Sequence, residues 1–280
     1  MQVEKSIDEA LLLIPGWASA SYSWEAMSRG LTNRSFLVER QGKKYVLRLD
    51  APHTELFDLD RATELKVHQQ AALAKLAPRI VYANPAQGVQ LNEYVPGAVL
   101  TVADLESAEV LESIAATLRD VHALECCGKS FSALDAAETY ISAVGLKGPW
   151  LNTARQCRAI IERNRSGGDL VCSHNDPVVD NFVAAGRLVL LDWEYACDND
   201  AYFDLAVVVA HHDLDRQQAE TLLSAYSGGV TAERRQRLDA QVQTYDALHW
   251  LWLAARNVAT SNAAMFDVMQ RLAARIAARG

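Results

Sequence analysis

The sequence contains no C-x-x-C pair and no apolar run long enough to cross a bilayer. Its five cysteines are odd in number, and a chain of 280 residues can build a core without disulfides. We therefore expect reduced thiols and a cytoplasmic protein. The first ten residues, MQVEKSIDEA, are polar and acidic, which does not fit a secretory signal peptide. The missing apolar run also argues against a membrane protein.

Basic residues are too few for a protein that binds nucleic acid. The chain has 27 Lys and Arg against 35 Asp and Glu, a formal net charge of -8. Binding to a phosphate backbone requires a basic face, so we expect no nucleic-acid partner. A small cationic substrate would suit an acidic surface. With half of its residues hydrophobic, the chain has the composition of an ordinary globular protein.

The chain also lacks a serine elbow, a zinc motif, internal repeats and low-complexity segments. His211-His212-Asp213 is the segment that invites a metal interpretation. Adjacent histidines point in different directions, however, and no further ligands stand nearby in the sequence. We interpret this segment as the end of a helix.

The first third of the chain is predicted to be rich in strands. Two runs of β-forming residues are joined by Gln41-Gly42, which is typical of a hairpin. A longer segment carries good helix formers, no proline and an acid in its first turn. The predicted elements are strands at 35–39, 44–49, 79–83 and 89–94, and a helix at 60–76.

Beyond the turn signal Pro96-Gly97 the pattern becomes helical. A β-rich island made of LVCSHND, NFVAAG and RLVLLDWEY interrupts the helices, and we expect it to form one small sheet. The fold class is predicted as two-lobed α+β, with a β-rich N-lobe at 1–94 and a mostly helical C-lobe at 95–280. Two lobes joined by a hinge near 92–97 suit a nucleotide cleft. The predicted helices are 105–124, 151–165 and 231–264.

The most informative residues follow the strands of that island. His174-Asn175-Asp176 is followed after four residues by Asn181, and Asp192 closes the apolar strand RLVLL. This order and spacing match a kinase catalytic loop with its two metal ligands.

The chemistry of phosphoryl transfer explains these residue types. Mg²⁺ offsets charge on the phosphate oxygens of ATP and prefers oxygen ligands, such as the Asn181 amide and the Asp192 carboxylate. A further carboxylate, Asp176, would orient the incoming hydroxyl and accept its proton. Taken singly, each of these residues is more often a turn former. Their joint spacing, with an apolar strand before each motif, favours catalysis.

The stretch CSHNDPVVDNFVAAGRLVLLDWEYACDNDAYFDLAVV resembles the signature of choline, ethanolamine and thiamine kinases and aminoglycoside phosphotransferases. Within this family, the resemblance is greatest to the bacterial choline and thiamine kinases, which share the stretch D-W-E-Y-A. The resemblance implies a protein-kinase-like fold, with Asp176 as catalytic base and Asn181 and Asp192 as Mg²⁺ ligands. It also implies that His174 braces the loop.

The same resemblance implies a nucleotide site in the N-lobe. The segment LTNRSFLVERQGKKYVLRL is similar to the loop that covers the phosphates and the strand after it. Arg48 stands where many kinases carry the strand lysine, and its expected partner is Glu64. The residues expected to contact the nucleotide are Thr32, Asn33, Ser35, Arg48, Glu64, and the hinge residues Asn92 and Tyr94.

Three departures from the pattern qualify this resemblance. There is no G-x-G-x-x-G, and Pro177 follows the catalytic Asp176. Only a dozen residues separate Asp192 from Asp204, which leaves no long activation segment to bind a peptide. We therefore expect no protein substrate, and we expect Asp204 to anchor a helix.

A cationic acceptor would be held by aromatic faces and carboxylates. Trp250 and Trp252 are two residues apart, about 200° around a helix, so they cannot line one pocket together. His249 and Trp252 are three apart and can. Core packing remains an equally good interpretation of either tryptophan. The expected acceptor residues are Glu194, Tyr195, Asp198, His249 and Trp252.

The predicted function is that of an ATP- and Mg²⁺-dependent small-molecule kinase. Choline or a similar amino alcohol is the first expected acceptor, thiamine the second, and an aminoglycoside or sugar the third. A catalytically silent nucleotide-binding protein is the alternative from another class. A hydrolase that uses two carboxylates would leave Asn181 unexplained.

Overall fold

The computed structural model describes residues 6–17, 21–27, 33–50, 59–145, 150–165, 169–260 and 263–279. The chain divides into two compact units. The first comprises 1–99 with 181–196, and the second comprises 100–180 with 197–280. The predicted N-lobe ended at residue 94, whereas the first unit continues to residue 99 and also contains the returning segment 181–196.

Ten strands and nine helices are found among the described residues. The strands are β1 (Ser23–Ala26), β2 (Asn33–Arg40), β3 (Lys43–Asp50), β4 (Ile80–Asn84), β5 (Val89–Glu93), β6 (Ala98–Val99), β7 (Leu170–Ser173), β8 (Phe182–Ala184), β9 (Leu188–Leu190) and β10 (Cys197–Asp200). The helices are α1 (Ile7–Leu12), α2 (Arg61–Leu73), α3 (Ala108–His122), α4 (Ala133–Val144), α5 (Trp150–Arg163), α6 (Ala201–His211), α7 (Arg216–Ser227), α8 (Ala232–Thr260) and α9 (Ala263–Ala277).

The main sheet of the first unit is antiparallel, with strand order β1-β2-β3-β5-β4. Its β2–β3 hairpin turns at Gln41 and Gly42, both of which have positive φ. A two-residue turn of this kind matches the twist of the paired strands, which is why Gln-Gly predicted it. Helix α2 is capped by Asp60, whose side chain accepts the N–H groups of Ala62 and Thr63.

The predicted single small sheet is wrong, because the β-rich island forms two sheets. Strands β6, β8 and β9 form one sheet in the first unit, and β7 pairs with β10 in the second. Gly97 lies against β8, where a Cβ would fall 2.3 Å from the Ala184 carbonyl oxygen. Only glycine fits there. This close approach allows β6, which follows Gly97, to pair with β8 of the β8–β9 hairpin.

The second unit is mostly helical, as predicted. Its central helix α6 is buried along almost its full length and packs on α8, while α3 packs on α7. Helix α3 begins later than predicted because Ser107 caps it and a short 3₁₀ turn at Val102–Glu106 precedes it. No helix in the described part of the chain is both long and apolar enough to span a bilayer.

Candidate active site

In the first unit, Arg48 on β3 forms the expected ion pair with Glu64 on α2. The Glu64 side chain is 1% exposed. Burial by itself would raise the pKa of Glu64, but the positive charges of Arg48 and Arg61 outweigh that effect and lower the pKa. The carboxylate is therefore ionised, and the pair joins the strand to the helix.

Arg61, the first residue of α2, is a second cation that the sequence analysis did not identify. Its guanidinium lies 2.9 Å from Asp50, 2.7 Å from Glu64 and 3.3 Å from Glu194. It also donates to the side-chain oxygen of Asn33 at 3.0 Å. One sequence signal could have found it. A cation in the first turn of a helix opposes the macrodipole, so such a residue needs an acidic partner nearby.

The expected metal ligand Asp192 lies at the edge of this network. Nη1 of Arg48 is 3.4 Å from Oδ1 of Asp192. Burial, and then the charge of Glu194, raise the pKa of Asp192 to about 7. Two guanidinium groups are surrounded by more carboxylates than they can balance, so a divalent cation would lower the electrostatic energy here. The carboxylates are Asp50, Glu64, Asp192 and Glu194.

The β8–β9 hairpin brings the two expected metal ligands to the same end. Asn181 directly precedes β8, Asp192 follows β9, and the Leu191 N–H donates to the Asn181 carbonyl at 2.8 Å. No three His, Cys, Asp or Glu side chains form a metal cluster within the described ranges. An amide oxygen and one carboxylate, completed by phosphate oxygens and water, are a ligand set that suits Mg²⁺.

The side chains of Asn33 and Glu194 contact one another. Nδ2 of Asn33 donates to Oε2 of Glu194 at 2.7 Å, and both residues are buried. The same Glu194 oxygen lies near Arg61. The sequence predicts that Glu194 contacts a cationic acceptor, but the structure places its carboxylate against Asn33 and Arg61. Tyr195 follows it in a turn and is half-buried.

Other residues expected at the nucleotide are part of the main sheet. Ser35 lies on β2 opposite Arg48, and Asn92 pairs with neighbours on both sides. The Tyr94 N–H donates to the Lys44 carbonyl at 3.2 Å, so an adenine would have to use other groups of this segment. Thr32 lies outside the described residues.

In the second unit, the loop that carries Asp176 is held by Asp204. The fully buried Asp204 carboxylate accepts the N–H groups of His174 at 2.9 Å and Asn175 at 2.7 Å. It also lies 2.9 Å from Nε2 of His122. Burial alone would raise the pKa of Asp204, but the hydrogen bond from His122 and the charge beside it lower the pKa. Asp204 therefore anchors the loop that carries Asp176, whereas the sequence predicted that it would anchor a helix.

The loop itself is tightly turned. Asn175 has φ 65°, a left-handed conformation that asparagine tolerates better than most residues. The Asp176 N–H donates to Nδ1 of His174 at 3.3 Å, which is the expected bracing contact. The Val178 N–H donates to the Asp176 carbonyl at 2.9 Å across Pro177. Proline fixes φ near the value that such a γ-turn needs, which explains this departure from the family pattern.

A cluster of aromatic and imidazole rings lies on α8, in the unit that also carries Asp176. Burial and then the Asp176 charge raise the pKa of Tyr245. The ring of His249 is 5.4 Å from that of Tyr245 and 6.4 Å from that of Trp252. Partial burial lowers the pKa of His249 to about 3, so its ring is neutral at neutral pH and does not repel a cation.

The two tryptophans of α8 have different environments, as the helical spacing predicted. Trp250 is fully buried, with its ring centroid 5.5 Å from that of Trp150 and the two rings tilted by 40°, whereas Trp252 is half-buried. Arg256 lies 5.4 Å from the Trp252 ring centroid. The structure thus assigns Trp250 to the core.

Asp198 has a structural contact that differs from its expected one. Its buried carboxylate accepts the N–H groups of Cys127 at 2.8 Å and Gly128 at 2.7 Å. Both oxygens therefore hold the turn after α3. The expectation that Asp198 contacts an acceptor loses its basis, because a buried carboxylate with two backbone donors is already satisfied.

Comparison with known proteins agrees with this arrangement. A protein-family model described as "Phosphotransferase enzyme family" matches residues 23–240. LicA of Haemophilus influenzae is 27% identical over 207 residues, which is 70% of this chain and 60% of that protein. A thiamine kinase of Escherichia coli is 30% identical over 202 residues, which is 68% of this chain and 67% of that protein.

A solved structure has the same fold. The choline kinase LicA from Streptococcus pneumoniae superimposes with a TM-score of 0.78 at 23% identity, covering 91% of this chain and 93% of that one. This similarity confirms the predicted fold class, a protein-kinase-like α+β fold with a β-rich first part and a helical second part.

Proposed function

Because this chain belongs to the phosphotransferase enzyme family, we propose that it is a kinase that transfers the terminal phosphoryl group of ATP to the hydroxyl of choline or a similar amino alcohol. The observation that carries this proposal is the Arg48 network. One buried guanidinium contacts both Glu64 and Asp192, so the nucleotide strand and the proposed metal ligand are linked directly.

The donor groups of the first unit fit Mg·ATP. Asn181 and Asp192 would hold the metal, which would neutralise charge on the phosphate oxygens. Arg48 has a buried Nε with no hydrogen-bond partner among the described residues. A phosphate oxygen would satisfy that donor, since guanidinium groups bind phosphates strongly. The excess of carboxylates around Arg48 and Arg61 favours a nucleotide that arrives with its cation.

Asp176 is the proposed catalytic base. As the alcohol oxygen forms its bond to the terminal phosphorus, the bond from that phosphorus to ADP breaks, and the hydroxyl proton passes to the Asp176 carboxylate. The backbone bonds to Asp204 and the brace from His174 hold this residue in place. Positioning and electrostatics supply most of the catalysis in phosphoryl transfer.

An amino alcohol is favoured by the ring cluster of α8, which belongs to the same unit as Asp176. Tyr245, His249 and Trp252 offer uncharged aromatic surface to a quaternary ammonium group. Thiamine is the second candidate, since it is also cationic and aromatic and the Escherichia coli relative is a thiamine kinase. An aminoglycoside or sugar is the third. With so short a chain between Asp192 and α6, we propose no protein substrate.

A coupled ADP-release assay tests the proposal. The protein is given Mg·ATP with choline, ethanolamine, thiamine and a panel of aminoglycosides and sugars. We expect turnover with one class of alcohol and none when EDTA removes the metal. Nucleotide binding without turnover on any acceptor would instead support the silent nucleotide-binding protein. Failure to bind ATP would contradict the proposal entirely.

Trp252→Ala is expected to raise the KM for a cationic acceptor by about tenfold and to leave the KM for ATP unchanged. A cation–π contact contributes about 0.5–2 kcal/mol, which corresponds to a change of this size. Steady-state kinetics with each substrate varied in turn measure the effect. Trp250→Phe is the matched control, because a core residue should change stability and not the acceptor KM. Equal KM effects in the two variants would contradict the assignment.

A further inference from the structure

The backbone N–H groups of the catalytic loop can be followed one by one from His174 to Val179. The N–H groups of His174 and Asn175 donate to the Asp204 carboxylate, and the Asp176 N–H donates to the His174 ring. Pro177 has no N–H, and the Val178 N–H donates to the Asp176 carbonyl within the loop. The Val179 N–H donates to Nε2 of His212 at 2.9 Å. Two acceptors of this set therefore lie outside the loop.

Both outside acceptors belong to the same helix. Asp204 is in the first turn of α6, and His212 is the residue that caps its C-terminus. Eight residues of helix span about 12 Å, so α6 separates the two anchors by a set distance. The helix is itself buried along nearly all of its length. Both ends of the loop are therefore attached to one buried helix.

The His212 contact fills a specific need of the loop. Val179 is 2% exposed and begins the short 3₁₀ turn Val179–Asn181, so its N–H has no partner within that turn. A buried N–H without an acceptor is unfavourable. The imidazole must be neutral to accept at Nε2, with its proton on Nδ1. Burial, and then the charge of His211, lower the pKa of His212 to about 4, which agrees with that state.

We propose that His212 is a positioning residue for phosphoryl transfer, which accepts the Val179 N–H and so holds the far end of the loop that orients Asp176. This inference rests on the proposed function, since it assigns Asp176 to the reacting hydroxyl. His212 touches neither substrate nor nucleotide in this role. Asp204 holds the other end of the loop, through the N–H groups of His174 and Asn175.

The first test compares two variants at the same position. His212→Leu keeps the volume and removes the acceptor, and we expect kcat to fall by about 10- to 100-fold with both KM values little changed. His212→Gln places a carbonyl oxygen close to the position of Nε2, and we expect it to recover most of that loss. Equal loss in the two variants, or full kcat in folded His212→Leu, would overturn the proposal.

The matched control is the next residue. Asp213 is on the surface, with a side chain that is 74% exposed and paired with Arg275. Asp213→Asn keeps a residue that tolerates the left-handed backbone found there, φ 51°. Its kcat should equal that of the wild type. If His212→Leu does not fold, His212→Ala with added imidazole replaces it. A kcat that rises with imidazole supports the proposal, and one that does not respond contradicts it.

A second readout is independent of activity. Amide hydrogen exchange followed by NMR should show a protected Val179 N–H in the wild type. In His212→Leu this amide should exchange at least tenfold faster, while the Asn175 amide, held by Asp204, keeps its protection. Unchanged exchange at Val179 would refute the anchor even if the wild type had no turnover. A wild type that is inactive on every alcohol would refute the proposed function and leave the exchange result standing.

Discussion

Asp176→Asn is expected to lower kcat by about 10²- to 10⁴-fold and to leave the affinity for Mg·ATP unchanged. The amide keeps the size and the hydrogen-bonding shape of the carboxylate but cannot accept the proton of the incoming hydroxyl. The Asp204 and His174 contacts that hold the loop go to backbone atoms, so they survive the substitution. Steady-state ADP release measures kcat, and fluorescence titration with a nucleotide analogue measures binding.

Asp180→Asn is the matched control for this prediction. Asp180 belongs to the same loop and is exposed, so the substitution removes an equal charge without removing the proposed base. Its kcat should stay close to that of the wild type. Comparable losses in the two variants would point to a general effect of charge on the loop. Retained activity in Asp176→Asn would exclude this residue as the base.

Asp204→Ala is expected to lower the free energy of unfolding by about 3–5 kcal/mol and to abolish turnover. The carboxylate is fully buried and accepts two backbone N–H groups as well as His122. Its removal leaves these donors without an acceptor in the interior. The imidazole of His122 also loses its partner, although Tyr226 still lies 2.7 Å from its Nδ1. Urea unfolding followed by circular dichroism measures the loss.

Asp215→Ala provides the comparison for stability. Asp215 caps α7 by accepting the Gln218 N–H at 2.8 Å on an exposed surface. Losing such a cap should destabilise the protein by about 1 kcal/mol and leave activity intact. A similar small loss in Asp204→Ala would mean that water or another side chain replaces the carboxylate.

The contribution of Asp204 to stability should depend on pH in a defined direction. Because its folded pKa is lowered, the contribution is fully present above the unfolded value of about 4. It is lost as the pH falls through the folded pKa, since the carboxylate must then be protonated. The stability difference between wild type and Asp204→Ala should therefore be constant near neutrality and shrink in acid. A difference that grows in acid would contradict the assignment.

Patterns that depend on neighbours along the chain were predicted well. The Gln41-Gly42 hairpin follows from turn geometry, and the helix after Asp60 follows from its composition of good helix formers without proline. The opposite environments of Trp250 and Trp252 follow from the helical repeat. The prediction of one small sheet failed, because β7 and β8 are close in sequence but pair with different partners. Strand pairing is decided by contacts that the local pattern does not contain.

The order and spacing of Asp176, Asn181 and Asp192 could be read from the sequence alone, because they are properties of the chain itself. Only the tertiary structure decided which other charged groups have partners. Glu194 accepts a hydrogen bond from Asn33, which is 161 positions away in the sequence, and Asp198 accepts one from Cys127, which is 71 positions away. Arg61 and His212 gain their roles in the same way. The sequence shows which chemical group a side chain carries. Whether that group can bind a ligand depends on which distant donor or acceptor the fold places against it.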